Sequence, residues 1–443
     1  MSLPIPRRSI TALAALAAFT LALPGLAGAQ GLQELYEAAR IYDATYLGAR
    51  AQAESAEFRA AQADALGRPT AALAANATAS VIDVPRIGTG DSNTVGATLN
   101  GRFPLFNRAN RVTIEQARKS LETAQADLET AEQDLVLRLT QAYFDVLAAQ
   151  DVLATTRANK AATSEQLASA RRNFEVGTAT ITDTREAQAR FDLGTAQEIV
   201  ADNDLRTRRL ALDLLVGRAG VQPRPLLVPV VLPGTLPANP EEWVTVADTQ
   251  HPSVRRARVA LEVATLETAK ARAGELPTVD AVASLGSSRG AGSAVSIGGI
   301  TTNSSLGVQL NWPLYTGGAT QNRIKETLAL EERSRNDLEA ARRGVAQATR
   351  VAYFGVQSGA AQVKALEAAE ASSRLALEAT QLGFKVGVRV NLDVLNAQTQ
   401  LFTTQRDLAK ARYDVLVGSL RLRQASGQLA PADLQVVNAL LAR

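Results

Sequence analysis

Two places in the sequence carry side chains that could perform enzyme chemistry. Residues 286–290 read Gly-Ser-Ser-Arg-Gly, the spelling of a nucleophile elbow, but a glycine-rich loop follows where an elbow needs a helix. The only histidine, His251, precedes a proline at a bend in a helical stretch. The chain has no cysteine, which excludes thiol nucleophiles and thiolate metal sites, and its metal-ligating residues are not clustered. We therefore expect no enzyme, no metal site and no cofactor.

The other chemistry that the sequence could support is pairing of opposite charges. The residues for it lie in a short stretch that occurs twice. The copies, residues 174–183 and 384–393, lie 210 residues apart (384 − 174) and both read Phe-x-Val-Gly with an aspartate at the end. Gly177 and Gly387 supply positive φ, the β-branched residues disfavour helix, and the aspartate restarts it. Each copy is thus predicted to be a tight turn between two helices, and the chain to be an internal duplication.

The N-terminal residues carry a targeting signal, and the composition of the chain limits the classes of partner. Residues 1–29 have a charged start, an apolar core and a small-residue cleavage pattern, which predicts a secretory signal peptide. No later segment reaches about 20 apolar residues, so we expect no transmembrane helix. Net charge is +3, with 21% charged residues of mixed sign, which gives no case for nucleic-acid binding.

The first repeat is predicted over residues 30–222. Residues 107–172 contain neither proline nor glycine, and their apolar positions alternate by three and four as in a coiled coil. As a helix this stretch would be roughly 100 Å long. The elements we expect are a helix over 31–66, a β-hairpin over 70–106 with strands 70–84 and 94–106, the long helix 107–172, a tip turn 173–180 and a helix 181–216.

The second repeat is predicted over residues 241–428, after a proline-rich linker at 223–240. A C-terminal segment at 429–443 follows it and is expected to lie at the equator of the molecule. The elements we expect are a helix over 241–274, a β-hairpin over 278–315 with strands 278–286 and 305–314, a long helix 319–382, a tip turn 383–390 and a helix 391–425.

The four strands alternate between apolar and polar residues, with Thr, Asn and Ser on one face. One chain cannot close a barrel with four strands, because about eight are needed. Apolar outside and polar inside is the pattern of a transmembrane barrel. With four strands per chain, closing such a barrel would require several chains. The alternative is a soluble coiled coil capped by β-hairpins, which accounts for the helices but not for four strands with a polar face.

These features resemble the TolC family of bacterial outer-membrane efflux proteins. The matches are the duplicated plan, the Phe-x-Val-Gly turns with their aspartates, and the Phe/Trp-Pro-Leu strand ends at 103–106 and 312–315. The resemblance implies a homotrimer of mixed α and β structure. Four strands per chain would form a 12-stranded barrel in the outer membrane of a Gram-negative bacterium, continued by an α-helical coiled-coil tunnel through the periplasm.

The resemblance also implies a function and partners. It describes the exit duct of a tripartite efflux or type I secretion system, which passively conducts substrates delivered by an inner-membrane pump of ABC or RND type through a periplasmic adaptor protein. Its surroundings would be outer-membrane lipid, with no nucleic acid. A periplasmic coiled-coil adaptor or scaffold without a pore is the alternative function.

The resemblance assigns a gate latch to the turns. Thr182 and Asp183 in the first turn match positions that bond to Arg389 in the second, linking the inner and outer coiled coils of one protomer and its neighbour. Spacing alone leaves a solvated surface charge equally open. An exposed pair contributes about 0–1 kcal/mol. Phe384 stands where the family has a tyrosine, so we expect a weaker latch.

The resemblance places the pore constriction one turn further on. Asp393 and Asn396 match two family aspartates that ring the pore, and only Asp393 keeps the charge. Three copies of one carboxylate near the axis would attract cations. The asparagine predicts weaker cation block than in members with two acidic rings.

Overall fold

The computed structural model describes residues 30–442 except 87, 228, 231, 233, 235 and 292–297. The predicted signal peptide therefore lies outside the described residues. The first half of the chain contains α1 (Leu32–Tyr42), α2 (Ala44–Asp64), a 3₁₀ turn (Ala65–Gly67), β1 (Thr70–Val84), β2 (Gly88–Phe106), α3 (Arg108–Glu175) and α4 (Ile181–Val216). The second half contains α5 (Pro240–Gln250), α6 (Pro252–Ala273), β3 (Thr278–Gly290), β4 (Gly299–Asn311), α7 (Ala319–Lys385), α8 (Asn391–Ala425) and α9 (Asp433–Asn438).

The first helix of each repeat is broken in two, whereas single helices were predicted over 31–66 and 241–274. At the first break, Asp43 has extended backbone and its carboxylate accepts a hydrogen bond from the Tyr46 N–H at 2.7 Å, capping α2. At the second, His251 Nδ1 accepts from the Ser253 N–H at 3.1 Å, and Pro252 occupies the first helical position of α6. In both cases a side-chain cap starts a new helix and therefore ends the preceding one.

The four strands form one antiparallel sheet in the order β1-β2-β3-β4. Its hairpin loops are shorter than predicted, because pairing continues through Gly, Ser and Thr residues at the far ends of the strands: Gly90 pairs with Ile82, and Thr94 with Gly290. The ladder supplies hydrogen bonds there that local propensity does not. Strand β4 ends at Asn311, so the predicted end of this strand at residue 314 is wrong. Pro313 has no N–H to extend the ladder.

The two faces of the sheet differ as the alternation predicts. Leu73, Leu99 and Leu285 lie side by side in register on the apolar face, and all three are exposed. On the opposite face Ser284 and Ser305 share a hydrogen bond of 2.9 Å. Even-numbered side chains of β2 from 90 to 98 are only half exposed, while their odd-numbered neighbours are exposed. The open face is therefore the apolar one.

Two long helices set the dimensions of the molecule. The α3 helix has 68 residues and α7 has 67, so each is roughly 100 Å long at about 1.5 Å per residue. Each extends three residues beyond its predicted end, which leaves tip turns at 176–180 and 386–390. The largest core lies midway along α3, where α1, α4, α8 and α9 pack against it or against one another. Among the described helices, none is both long and apolar enough to cross a membrane.

A buried ion pair fixes the break between α1 and α2 to the long helix. Asp43 is 8% exposed, and the two guanidinium nitrogens Nη1 and Nη2 of Arg138 each donate to one of its carboxylate oxygens at 3.0 Å. The hydrogen bonds from Arg138 are the main cause that lowers the pKa of Asp43, and the backbone amide of Tyr46 lowers it further. The carboxylate is therefore charged and fully bonded at neutral pH.

We expect Arg138→Met to lower the free energy of unfolding by about 2 kcal/mol at pH 7. Loss of one partner strands a buried carboxylate, and the half-exposed arginine reduces the usual cost. Because the pKa of Asp43 is lower in the folded state, its ion pair contributes to the free energy of unfolding in full above the ordinary aspartate pKa of about 3.9. That contribution is lost as the pH falls through the lower folded-state pKa. Denaturant titrations in detergent from pH 7 downward should show the variant and wild type converging in acid.

The control for this prediction is Arg206→Met, which removes an exposed i,i+4 pair with Asp202. That change should cost less than about 1 kcal/mol at any pH. A constant difference between Arg138→Met and wild type down to pH 2 would contradict the assignment.

Candidate functional site

The two tip turns have the same backbone conformation. Gly177 and Gly387 both have φ of +79°, a region that side chains with a Cβ rarely adopt. The next residue in each turn donates its N–H back into the preceding helix, from Thr178 to the Asn173 carbonyl at 2.8 Å and from Val388 to the Gly383 carbonyl at 2.9 Å. Both glycines thus close the end of a long helix and reverse the chain.

Asp183 is bound within its own turn. Its Oδ2 accepts from the Thr180 N–H at 3.0 Å and from the Thr180 hydroxyl at 2.7 Å, and Thr180 Oγ1 accepts from the Asp183 N–H at 3.2 Å. This reciprocal capping box satisfies amides at the start of α4 that otherwise lack partners. Thr182 is exposed beside it. Asp183 therefore already has a local structural role, whatever it binds on a neighbouring chain.

Arg389 faces the carboxylate one turn further along the same chain. Its Nη1 lies 3.6 Å from Asp393 Oδ2, and both side chains are partly exposed. Within the described chain no hydrogen bond or ion pair joins Arg389 to Asp183. Phe384, at the end of α7, is half-buried and offers no hydroxyl. The latch between neighbouring copies stays a prediction, and the structure adds that Arg389 partly neutralises Asp393.

Asn396 is engaged by a residue that the sequence did not single out. Arg190 on α4 donates from Nη2 to Asn396 Oδ1 at 2.7 Å and from Nη1 to Thr399 Oγ1 at 3.4 Å. Arg190 is one of many arginines on α4, and its partners are about 200 residues away in sequence. Nothing in its local pattern marks it, so only the packing of α4 against α8 reveals the contact.

The start of α8 is also docked onto the first hairpin by an apolar contact. Leu395 is 1% exposed and lies in a cluster with Leu167 of α3 and Ala187 of α4, against which Phe191 packs. Three residues later, Gln398 donates to the carbonyl and the side-chain oxygen of Asn159 on α3, both at 3.3 Å. One face of α8 just beyond the tip is therefore held in the seam between α3 and α4.

The two sequence features considered for enzyme chemistry have other places in the structure. Residues 286–290 continue strand β3, so they lack the strand–turn–helix geometry of a nucleophile elbow. His251 serves as the helix cap described above. In the described ranges, no three His, Cys, Asp or Glu side chains are grouped so that they could hold a metal ion.

Comparisons with known proteins agree with the fold. The family model described as outer membrane efflux protein matches residues 35–218 and 243–428, once in each half of the chain. The outer membrane protein TolC of Vibrio cholerae is 33% identical over 414 residues, 93% of this chain and 94% of that protein. The alkaline protease secretion protein AprF of Pseudomonas aeruginosa is 36% identical over 313 residues, 69% of this chain and 64% of that protein.

A solved structure shows the same fold at lower identity. The outer membrane protein VceC from Vibrio cholerae superimposes with a TM-score of 0.77 at 21% identity, and the match covers 89% of this chain and 96% of that one. The long helical hairpins and the four-stranded sheet are thus a known architecture.

Proposed function

The chain belongs to the outer membrane efflux protein family, and from this we propose that it is the exit duct of a tripartite efflux or type I secretion system. It is an outer-membrane protein that extends into the periplasm. The observation that carries the proposal is the arrangement of one chain: a sheet with an exposed apolar face at one end, and two helices, each roughly 100 Å long, that lead from it to the tip turns at the other. A lipid-facing anchor and a periplasmic conduit require those two parts.

Several copies are needed to complete such a duct, and we propose three. Strands β1 and β4 are the edges of the sheet, and open edges invite pairing with another chain. Three sheets of four strands exceed the roughly eight needed to close a barrel. Apolar side chains exposed along α4 and α7 also support lateral packing of copies; they are Leu193, Val200, Leu210 and Leu214 of α4 and Leu375 of α7.

The helix tips are the proposed gate. Three pairs of hairpins would surround one aperture, with Asp183 of one copy facing Arg389 of the next and Asp393 near the axis. The inner-membrane pump, of ABC or RND type, and the periplasmic adaptor would engage this end. Substrate would then cross this protein passively, delivered by the inner-membrane pump.

Fractionation of cells that express the protein tests this proposal against the alternative of a periplasmic adaptor or scaffold. The duct predicts an SDS-resistant, heat-modifiable trimer in purified outer membranes. A soluble periplasmic protein, or a monomer loosely bound to membranes, would overturn it.

The proposed constriction makes a separate prediction about cation block. Because Arg389 partly neutralises Asp393 within each chain, Arg389→Ala should strengthen block of the channel by a multivalent cation, and Asp393→Asn should abolish it. The measurement is current against cation concentration in planar bilayers. Asp202→Asn, which changes a partly exposed carboxylate of α4 remote from the tip turn, is the control that should leave block unchanged. Equal block in wild type and Asp393→Asn would contradict a carboxylate ring.

A further inference from the structure

The polar face of the sheet carries a single pair of opposite charges. The four strands that the structure describes contain five charged residues. Asp83, Asp91 and Arg289 lie in phase with the apolar face, near the loop ends of the strands. Arg102 and Asp280 are the two on the polar face. The polar wall of these strands is otherwise uncharged, so its electrostatic preference is set by this pair.

The two members of the pair differ in exposure. Arg102 lies opposite Val282, and Asp280 opposite Pro104, in the ladder between β2 and β3, so the two charges are diagonal neighbours on one face. Arg102 donates from Nη2 to Asp280 Oδ2 at 2.6 Å. The side chain of Asp280 is 7% exposed and that of Arg102 is 62% exposed. The carboxylate is therefore covered, and the guanidinium faces the open space above the polar face.

The guanidinium keeps hydrogen-bonding capacity. One of its nitrogens bonds to Asp280, and within the described chain the other carboxylate oxygen, Oδ1, is buried without a partner; a bidentate pair would use two nitrogens. Beside the guanidinium is a concave surface of about 400 Å³, lined by polar residues that include Thr70, Asn100 and Ser284. These uncharged side chains neither repel an anion nor neutralise Arg102. The hollow therefore has the chemistry of an anion site.

We propose that Arg102 binds the carboxylate and phosphate groups of molecules that pass through the duct. The proposal rests on the duct function, which makes the polar face the wall of the lumen. Planar oxyanions match the guanidinium fork, because two of their oxygens can accept from adjacent N–H groups. Asn100, two residues earlier on the same face of β2, offers an exposed amide as a second donor.

The position of Arg102 along the duct makes this site hard to avoid. Strand β2 ends at Phe106 and α3 begins at Arg108, so Arg102 lies where the sheet joins the helices. Phe103 and Trp312 are exposed at this end of the sheet, as in the aromatic girdle at a membrane interface. With three copies, the guanidinium would occur three times at one level of the lumen. Every molecule that leaves the helical tunnel must cross that level.

Asp280 sets the strength of the site. A residue on a conducting wall must bind its ligand weakly enough to release it. The covered carboxylate offsets part of the positive charge of Arg102 and occupies one of its nitrogens. Anions are thus attracted but not held, and removal of the charge of Asp280 should strengthen the attraction.

Cysteine reactivity on the polar face measures the local charge directly. The chain has no native cysteine, so Ser284→Cys places one thiol beside the hollow in trimers in outer-membrane vesicles. Its reaction rates with an anionic and a cationic methanethiosulfonate are compared. The ratio of the anionic to the cationic rate should be about fivefold higher with Arg102 than with Arg102→Gln, because the guanidinium concentrates anions. Arg102→Lys should keep the ratio high.

Opposite substitutions separate an anion site from a structural ion pair. If the pair only holds β2 against β3, Arg102→Gln and Asp280→Asn should change the ratio alike, because each breaks the same bond. The anion site predicts that Arg102→Gln lowers the ratio and Asp280→Asn raises it. The double variant keeps two uncharged hydrogen-bonding side chains and should match Arg102→Gln. Shifts of the two single variants in the same direction, or no shift in either, would overturn the anion site.

Inorganic tripolyphosphate tests binding as distinct from attraction. It should slow the reaction of the Ser284→Cys thiol with the anionic reagent more than sodium chloride of equal ionic strength does. This excess should disappear with Arg102→Gln. Equal slowing by the two salts would overturn binding at Arg102.

Ser92→Cys is the matched control. Ser92 is a half-exposed residue on the same face of β2, ten residues from Arg102 (102 − 92). That separation is roughly 33 Å, several times the Debye length of about 10 Å at 0.1 M salt, so its ratio should not respond to Arg102. If both thiols react but Ser284→Cys ignores Arg102, the anion site fails. If neither thiol reacts in folded trimers, the polar face is not a lumen wall and the duct function itself fails.

Discussion

Asp183→Ala combined with Arg389→Ala is expected to raise single-channel conductance severalfold. The two side chains would pair between neighbouring copies at the tip turns, and three such exposed pairs would together contribute roughly 3 kcal/mol at most to the closed state. Their loss would remove the proposed polar contacts between copies at the tips. Conductance of purified trimers in planar bilayers measures the effect.

Asp183 also caps α4 through Thr180. The effect of losing this cap must therefore be separated from the effect of losing the latch. Removing that cap alone costs about 1 kcal/mol of helix stability. Asp183→Asn keeps an oxygen for the cap and removes the charge needed for the latch, so it should resemble Asp183→Ala in conductance and wild type in thermal stability. An unchanged conductance in the double variant would count against the latch.

Gly427→Ala is expected to destabilise the protein by about 3 kcal/mol, since a Cβ combines backbone strain with a clash. Gly427 follows α8 with φ of +73°, and a Cβ there would lie 2.5 Å from His251 Cα and 2.7 Å from its backbone nitrogen. Backbone atoms cannot rotate away as a side chain can. The join between α8 and the break at His251 would therefore have to open. Chemical unfolding in detergent measures the loss.

Gly220→Ala is the matched control for that prediction. Gly220 has a similar φ of +75°, but nothing lies within 4 Å of the position its Cβ would take. The substitution Gly220→Ala should therefore lower the free energy of unfolding only by the strain of a left-handed residue, about 1 kcal/mol. Equal losses for the two variants would show that the contact with His251 is not tight.

Helices with strong local signals were located well from sequence. The structure has α4 over Ile181–Val216 and α8 over Asn391–Ala425, the same bounds as predicted, because each begins after a glycine turn of positive φ. The break at Asp43 was not predicted, and the break at His251 was predicted only as a bend. A cap inside a long apolar pattern is a local signal that the periodicity hides.

Contacts between distant parts of the chain were not predictable from one sequence. The strand ends around Gly90 and Gly290 are extended only because a neighbouring strand pairs with them. Arg190 meets Asn396 through the packing of α4 against α8, and no spacing relates the two residues. The resemblance placed Asp183 and Arg389 at the tips, but the capping box and the Arg389–Asp393 pair become visible only from coordinates.

Single-channel recording of the purified wild-type protein tests the central claim most directly. A duct closed at its helix tips predicts that the trimer inserts into a planar lipid bilayer and gives uniform, small conductance steps, one for each trimer. A folded trimer that leaves the bilayer impermeable would contradict a pore. Steps as large as those of the Asp183→Ala, Arg389→Ala variant would contradict a closed gate.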